Sequence, residues 1–188
     1  MTLLAVAYTV LARLAYVVFV GIALRRQERE QWYTRRWGLE EGFGRFRRAA
    51  TLIMANDVVA FCVACLATRD TLMVDVSRAA MVAAGALLIV IGVGVKVWAT
   101  NALGVKAFYW YNFFSPPDGP QPPPGGPYRF LANPMYTLGY VQTYGFALLT
   151  ASLPGLYCSL FSQLAIIVFY RIVERPHLER LRARLKRA

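Results

Sequence analysis

The sequence predicts an all-α integral membrane protein with about five transmembrane helices, the last two forming a hairpin that leads to a cytoplasmic tail. The chain is 57% hydrophobic over 188 residues and has a mean hydropathy of +0.42. Soluble domains are nearer half apolar. Five windows are long enough to cross or deeply enter a bilayer: Thr2–Leu24, Ala49–Thr68, Ala79–Ala99, Tyr136–Leu153 and Gly155–Val173. We therefore expect a single membrane domain over residues 1–188.

The distribution of basic residues predicts the orientation. Residues 25–48 and 171–187 together hold 15 of the 21 lysines and arginines. Five crossings place both segments on one side, which the positive-inside rule makes cytoplasmic, in a bacterial inner membrane or an endoplasmic-reticulum-type membrane. The net charge of +11 thus favours contact with anionic lipid headgroups. No basic face stands apart from the membrane flanks, so we expect no nucleic-acid partner, and no feature indicates a protein partner.

Residues 1–78 are predicted to form two helices joined by the basic connection at 25–48. The first helix is expected to be retained, because Arg13 interrupts its apolar run and no basic segment precedes it. The connection alternates charges with aromatic residues, which predicts an amphipathic segment on the cytoplasmic surface with its rings at headgroup depth. Cys62 and Cys65 share a helix face and Cys158 stands apart, so we expect buried thiols and no metal site.

Residues 79–188 are predicted to form the functional core. A proline-rich connector at 115–127 is incompatible with helix and indicates a semi-rigid extended spacer on the cytoplasmic side. It delivers Gly126-Pro127-Tyr128-Arg129 to the start of the next helix. Pro154-Gly155 predicts a tight turn on the opposite side, so that the last two helices form the hairpin.

Two close glycines, Gly92 and Gly94, lie in the third predicted helix. Glycine allows another backbone or a flat ligand to approach a helix closely. Helix–helix packing through small residues is equally common in membranes. The pair alone does not decide between these two interpretations.

The segment Asn133-Pro134-Met135-Tyr136 stands at the start of the fourth predicted span. Proline suits a first helical turn, and Asn133 suits a helix cap. A stripe of tyrosines follows at every fourth position, at Tyr136, Tyr140 and Tyr144. Below the interface, these hydroxyls need hydrogen-bond partners or a ligand.

Two carboxylates are candidates for chemistry. Asp57 lies near the middle of the second helix, where an ionisable residue indicates function, with Lys96 or Arg13 as its expected partner. Glu174 ends the last helix between Arg171 and Arg175. A solvated ion pair would account for it, and so would a carboxylate that holds the ammonium group of a ligand.

The order Gly92-x-Gly94, Ala102-Leu103-Gly104, Asn133-Pro134-Met135-Tyr136 and Glu174 resembles that of phosphatidylethanolamine N-methyltransferases. The wider superfamily includes isoprenylcysteine carboxyl methyltransferases, whose Gly-Pro-Tyr-Arg element this chain also has at 126–129. The resemblance covers roughly residues 80–185. It implies binding of S-adenosylmethionine without a Rossmann fold. The family pattern places a second acid after Glu174, where this chain has Arg175.

The resemblance and the chemistry of the residues together predict three sets of site residues. The cofactor set is Gly92, Gly94, Asn133, Pro134, Met135, Tyr136, Glu174 and Arg175. The candidates for catalysis are Tyr136, Asp57 and Glu174. The substrate set is Tyr140, Asn101 and Arg129.

The function implied is S-adenosylmethionine-dependent methylation of a membrane lipid, with the amine headgroup of a phospholipid as the leading acceptor. An ammonium group must lose a proton before it can accept a methyl group, and desolvation assists that loss. Three alternatives stay open: carboxyl or other oxygen methylation of a prenylated or isoprenoid substrate, an NADPH-dependent membrane reductase using Arg171 and Arg175, and a membrane protein without catalysis, which the replacement at Arg175 would suit.

Overall fold

The computed structural model describes residues 2–115 and 125–185, and this part of the chain is helical. Its α-helices are α1 Thr2–Glu30, α2 Trp32–Trp37, α3 Leu39–Ala67, α4 Arg78–Leu103, α5 Val105–Phe108, α6 Val141–Leu149, α7 Leu153–Phe169 and α8 Arg175–Leu185. Most of the proline-rich connector, residues 116–124, and the tail residues Lys186 and Arg187 lie outside the described residues.

Four helices in the described ranges are long and apolar enough to cross a membrane: α1, α3, α4 and the continuous helix Leu153–Arg184. Much of their apolar surface points outward, as at Leu11, Leu52 and Val90, which are more than half exposed. In water such a surface would be costly, whereas lipid accepts it. The predicted all-α membrane fold is confirmed.

The fourth predicted span, Tyr136–Leu153, is shorter than expected. A turn of 3-10 helix at Leu138–Tyr140 leads into α6, which has only 9 residues. Together they extend roughly 20 Å at the helical rise, against about 30 Å of hydrocarbon core. The described residues therefore contain four full-length helices and this shorter one, because Tyr136 and Thr137 belong to a turn at one end of the predicted span and Thr150 and Ala151 belong to the hairpin turn at the other.

Helix α6 packs very closely against α4, in the antiparallel direction. A Cβ atom on Gly145 would lie 2.5 Å from the carbonyl oxygen of Gly85, and one on Gly92 would lie 2.6 Å from the backbone nitrogen of Gln142. No larger residue fits at these contacts without movement of the backbone. The short helix is thus fixed to α4 by backbone-to-backbone packing.

An aromatic core closes the end of the bundle at which α1 finishes and α3 begins. Phe43 and Phe46 are buried there with Trp110, Phe113 and Phe114. The sequence predicted that residues 25–48 lie on the surface with their rings at headgroup depth. The burial of these two phenylalanines differs from that expectation, because the segment at 110–114 packs its own rings against them.

The opposite end carries the hairpin turn. Ala151 has a positive φ of 46°, and the Ser152 hydroxyl caps α7 by accepting a hydrogen bond from the backbone of Gly155 at 2.8 Å. Pro154 and Gly155 consequently lie in the first turn of α7, and the chain reverses three residues earlier than predicted. The hairpin itself is confirmed, since α6 and α7 pack together.

Candidate functional site

The Glu174 carboxylate is the centre of the polar contacts at the aromatic end of the bundle. One oxygen, Oε1, accepts a hydrogen bond of 2.8 Å from the indole of Trp110 and one of 2.6 Å from the hydroxyl of Tyr136. The two donors come from the segment after α4 and from the turn before α6. Glu174 thereby connects three parts of the chain that are distant in sequence.

A local change of helix type presents Glu174 to this site. Residues Tyr170–Glu174 form a π-helical turn between α7 and α8, a feature common at functional sites. Pro176 follows closely and has no N–H to bond to the carbonyl of Ile172, so that carbonyl is released from the helix. The Arg25 side chain donates to it instead, at 3.4 Å.

Trp110 is held in an unusual backbone conformation. Its φ of 57° lies in the left-handed region, which costs a non-glycine residue free energy and is often retained where function requires it. The side chain is buried, its ring lies 5.8 Å edge-on from that of Phe169, and its indole N–H points at Glu174. Trp110 lies in the aromatic run Phe108–Phe114 of the sequence, which does not indicate this role.

The Gly126-Pro127-Tyr128-Arg129 element forms a 3-10 turn over the end of α4. Gly126 has a positive φ of 61°, and a Cβ atom there would lie 2.9 Å from the Trp98 indole nitrogen. Burial raises the pKa of Tyr128, and the negative charge of Glu174 raises it further. Tyr128 is therefore a neutral phenol beside the carboxylate, whereas Arg129 is exposed.

The Asn133-Pro134-Met135-Tyr136 segment forms the turn that carries Tyr136 to Glu174. The Asn133 side chain accepts a hydrogen bond from the backbone N–H of Tyr136 at 3.2 Å, as a capping residue does. Pro134 and Met135 are buried beneath the turn. The predicted capping contact is confirmed, although it caps a turn and not the α-helix that begins at Val141.

The tyrosine stripe finds partners along its length. Below Tyr136, the Tyr144 hydroxyl donates to the Gln163 side chain at 2.7 Å, and the Gln163 amide donates to the Tyr136 carbonyl at 3.2 Å. Tyr140 is 5% exposed. Its ring lies between two cations, with Arg13 Cζ at 5.8 Å and Lys96 Nζ at 5.3 Å from the centroid.

Asp57 belongs to a second polar group, inside the bundle. It forms a buried ion pair with Arg13 of α1, one of the two partners predicted for it. The other predicted partner, Lys96, stacks on Tyr140. Arg13 Nε and Asp57 Oδ1 are buried with no hydrogen-bond partner among the described residues. The structure gives Asp57 no direct contact with Glu174.

The remaining predicted site residues lie on α4 and at the start of α8. Gly92 contacts α6, whereas a Cβ atom on Gly94 would meet no atom of the described residues within 4 Å. Asn101 is exposed near the end of α4. Arg175 is also exposed. Its guanidinium pairs with Glu179 at 2.8 Å and is therefore directed away from the carboxylate of the neighbouring Glu174.

A cleft of about 260 Å³ borders the site on its outer side. One wall is the turn before α6, and the other is the end of α7 with the π turn. Its lining residues are Leu131, Ala132, Asn133, Tyr136, Thr137, Ile167, Tyr170 and Arg171. Tyr136 is shared between this cleft and the hydrogen bond to Glu174.

Comparison with known proteins places this geometry in a family. The family model described as phospholipid methyltransferase matches residues 80–183. That segment is more than half of the chain and contains Trp110, Tyr136 and Glu174. The chain belongs to the phospholipid methyltransferase family.

Curated members of the phospholipid methyltransferase family give the same result. The chain is 30% identical over 144 residues to a phosphatidylethanolamine N-methyltransferase of Candida albicans. It is 31% identical over 140 residues to that of Pyricularia oryzae and 31% identical over 144 residues to that of Clavispora lusitaniae. Each match covers 72% of this chain but only 16%, 14% and 17% of the relative. The chain thus spans about a sixth of the length of these relatives. No solved structure matches it significantly.

Proposed function

We propose that this protein is an S-adenosylmethionine-dependent methyltransferase that acts on the amine headgroup of a membrane phospholipid. The observation that carries the proposal is the Glu174 carboxylate, held by Trp110 and Tyr136 within the segment that matches the family. The names of its relatives support a phospholipid acceptor.

The residues around Glu174 suit the proposed cofactor. Oε1 of Glu174 is occupied by two donors, which leaves Oε2 to accept hydrogen bonds from an ammonium group such as that of a methionine moiety. The rings of Tyr136 and Tyr170, whose centroids are 6.2 Å apart, offer faces that attract a sulfonium cation. Asn133, Pro134 and Met135 position that wall, and Gly92, Gly94 and Arg175 remain predicted cofactor contacts.

S-adenosylmethionine, when bound, would supply an electrophilic methyl group on a sulfonium. The part of this chain is then to align the acceptor, exclude water and remove a proton. The aromatic core beneath Trp110 excludes water from one side of the site. Asn101, Arg129 and Tyr140 remain the predicted contacts of the acceptor.

Tyr136 and Glu174 are arranged to accept the proton of the acceptor amine. The Tyr136 hydroxyl donates to Glu174, so its own oxygen is free to accept a hydrogen bond from an ammonium group. As the ammonium proton moves to the Tyr136 oxygen, the phenolic proton moves to Glu174, and the amine gains its lone pair. Asp57, in the second polar group, stays the predicted alternative acceptor.

We also propose that the Glu174 end of the bundle faces the cytoplasm. The segment at 25–48 and helix α8 meet there, as the pair between Arg180 and Glu28 at 2.8 Å illustrates. Both segments are rich in arginine, which the positive-inside rule assigns to the cytoplasmic side. Anionic lipid headgroups would neutralise the excess charge.

Two measurements test the proposal. The purified full chain in detergent is titrated with S-adenosylmethionine and, separately, with NADPH by calorimetry; we expect saturable binding of the first and none of the second. The protein is then incubated with a labelled methyl donor and a total lipid extract. Label in amine-headgroup phospholipids is the expected result. Absence of cofactor binding, or label confined to isoprenoid or protein carboxyl groups, would contradict the proposal.

A further inference from the structure

The cleft beside Tyr136 has the features of a lipid-binding site. Its floor is apolar, with Leu131 and Ile167 among its lining residues. On the surface of α7 next to it, Leu164 and Val168 are 54% and 51% exposed, which identifies this side of the helix as one that faces hydrocarbon. The cleft therefore opens toward the bilayer, and a molecule that enters it comes from the membrane.

The half-length fourth helix creates this opening. Residues 134–137 form a turn and α6 begins only at Val141, so the described chain places a turn, and not an α-helix, beside the end of α7. The turn is fixed by the capping bond of Asn133 and by the bond from the Gly139 N–H to the Pro134 carbonyl at 2.8 Å. The cleft is thus part of the fold.

Arg171 gives the cleft a positive charge at one end. It lies on the exposed side of the π turn, one turn from Glu174, where the apolar run that begins at Leu153 ends. An arginine in this position extends its guanidinium to the depth of the headgroups. The two non-bridging oxygens of a phosphodiester at that depth can accept a bidentate pair of hydrogen bonds from the planar guanidinium.

We propose that this cleft binds the acceptor phospholipid, with an acyl chain against Leu131 and Ile167 and its phosphodiester on Arg171. This inference rests on the proposed function. From Arg171, the short arm of the headgroup directs the amine past Tyr136 toward Glu174. The cleft thereby explains how a lipid reaches a carboxylate inside the bundle without leaving the membrane.

Binding of didecanoyl phosphatidylethanolamine to the full chain in detergent, measured by native mass spectrometry without methyl donor, tests the site. Replacing Arg171 by Ala should weaken binding about tenfold or more, the scale of one charge-assisted hydrogen bond. Arg171→Lys keeps the charge but not the fork of donors, so its affinity should lie between those of Arg171→Ala and the unmodified protein. Arg182→Ala removes the same charge from an exposed position on α8 and should have no effect. Didecanoylglycerol, which lacks the phosphate, should bind Arg171→Ala and the unmodified protein equally.

A second pair of variants tests the apolar part. Ala132 lines the cleft, so Ala132→Phe should fill it and weaken lipid binding severalfold. Ala84 is exposed on α4, and Ala84→Phe is the matched control without effect. Unchanged binding in both Arg171→Ala and Ala132→Phe, or an equal loss in the controls, would overturn the inference.

The outcomes separate this inference from the proposed function. Lipid binding that depends on Arg171, in a protein that transfers no methyl group, would retain the site and reject the function. Methyl transfer with an unchanged KM for phospholipid in Arg171→Ala would retain the function and reject the site. The affinity for S-adenosylmethionine, measured by calorimetry, should be the same in Arg171→Ala and the unmodified protein.

Discussion

The hydroxyl of Tyr136 donates a 2.6 Å hydrogen bond to the carboxylate of Glu174, across 38 positions of sequence. The bond joins the turn before the short helix α6 to the π turn at the end of the last long helix. Each partner sits where the backbone departs from regular α-helix. Two irregular segments thus face each other at one end of an otherwise regular bundle. The proposed methyl transfer to a phospholipid takes place at this end.

Replacing Glu174 by Gln should weaken binding of S-adenosylmethionine about 10- to 100-fold, because a charge-assisted hydrogen bond contributes about 1.5–3 kcal/mol. The glutamine oxygen can still accept from Trp110 and Tyr136, so the free energy of unfolding should change by less than about 1 kcal/mol. Calorimetry gives the affinity, and thermal unfolding in detergent gives the stability.

The matched control for this change is Glu41→Gln. Glu41 lies on α3 and pairs with Arg45 and Arg48 at the exposed surface, so the variant loses the same charge away from the predicted cofactor residues. It should bind the cofactor with unchanged affinity. If Glu174→Gln also binds normally, Glu174 is not a cofactor ligand.

Replacing Tyr136 by Phe should separate catalysis from binding. The variant lacks the hydroxyl that passes the amine proton to Glu174, so turnover should fall about 10²-fold or more, the usual scale of acid–base catalysis. Affinity for S-adenosylmethionine should change far less. Tyr144→Phe removes a comparable hydrogen bond, to Gln163, and should cost similar stability, about 1 kcal/mol, with normal turnover. Equal turnover in the two variants would exclude Tyr136 from the proton transfer.

The sequence was sufficient to predict the long helices because apolar windows report the thickness of the bilayer directly. It also singled out Asn133, Tyr136 and Glu174 as candidate site residues, since polar groups at membrane depth need a partner. It did not predict the contact of Trp110 with Glu174, which depends on a left-handed backbone at Trp110. A run of aromatic residues near a membrane interface is typical of headgroup anchoring, and the sequence does not show which of its rings is buried.

The shortening of the fourth span was also not predictable from the sequence, because it too depends on the local backbone conformation. Hydropathy over Tyr136–Leu153 is high wherever the helix begins, so the composition cannot distinguish a turn at 134–137 from a helical start. The π turn was equally hidden, although Pro176 was an available signal: a proline within a helix removes one backbone bond and favours irregularity just before it. Packing of α6 on α4 then decides where the chain becomes helical.

Gly92 and Gly94 offer a paired test of packing against cofactor binding. Gly92→Ala places a methyl group 2.6 Å from the backbone nitrogen of Gln142, and overpacking of this kind costs about 1–3 kcal/mol. The methyl group of Gly94→Ala meets no atom of residues 2–115 or 125–185 within 4 Å and should stabilise the helix by about 0.5–1 kcal/mol. Thermal unfolding measures both effects.

Cofactor affinity in the same two variants tests the predicted contact. If Gly94 lies against S-adenosylmethionine, the alanine variant should bind it several times more weakly despite its greater stability. Normal affinity in stable Gly94→Ala protein would restrict the role of this motif to helix packing through Gly92.

Loss of either partner of the buried Arg13–Asp57 pair should destabilise the protein, whereas replacement of both by apolar residues should be tolerated. Either Arg13→Met or Asp57→Leu alone leaves one unpaired charge in the bundle and should destabilise it by about 3–5 kcal/mol. The double variant removes both charges and should recover most of that loss, as apolar replacements of buried pairs do. Unfolding of all three variants in the same detergent measures the coupling, and simple additivity of the two losses would contradict it.

Methyl transfer by the folded double variant then decides the role of Asp57, because only loss of turnover with normal cofactor affinity is compatible with Asp57 as the proton acceptor.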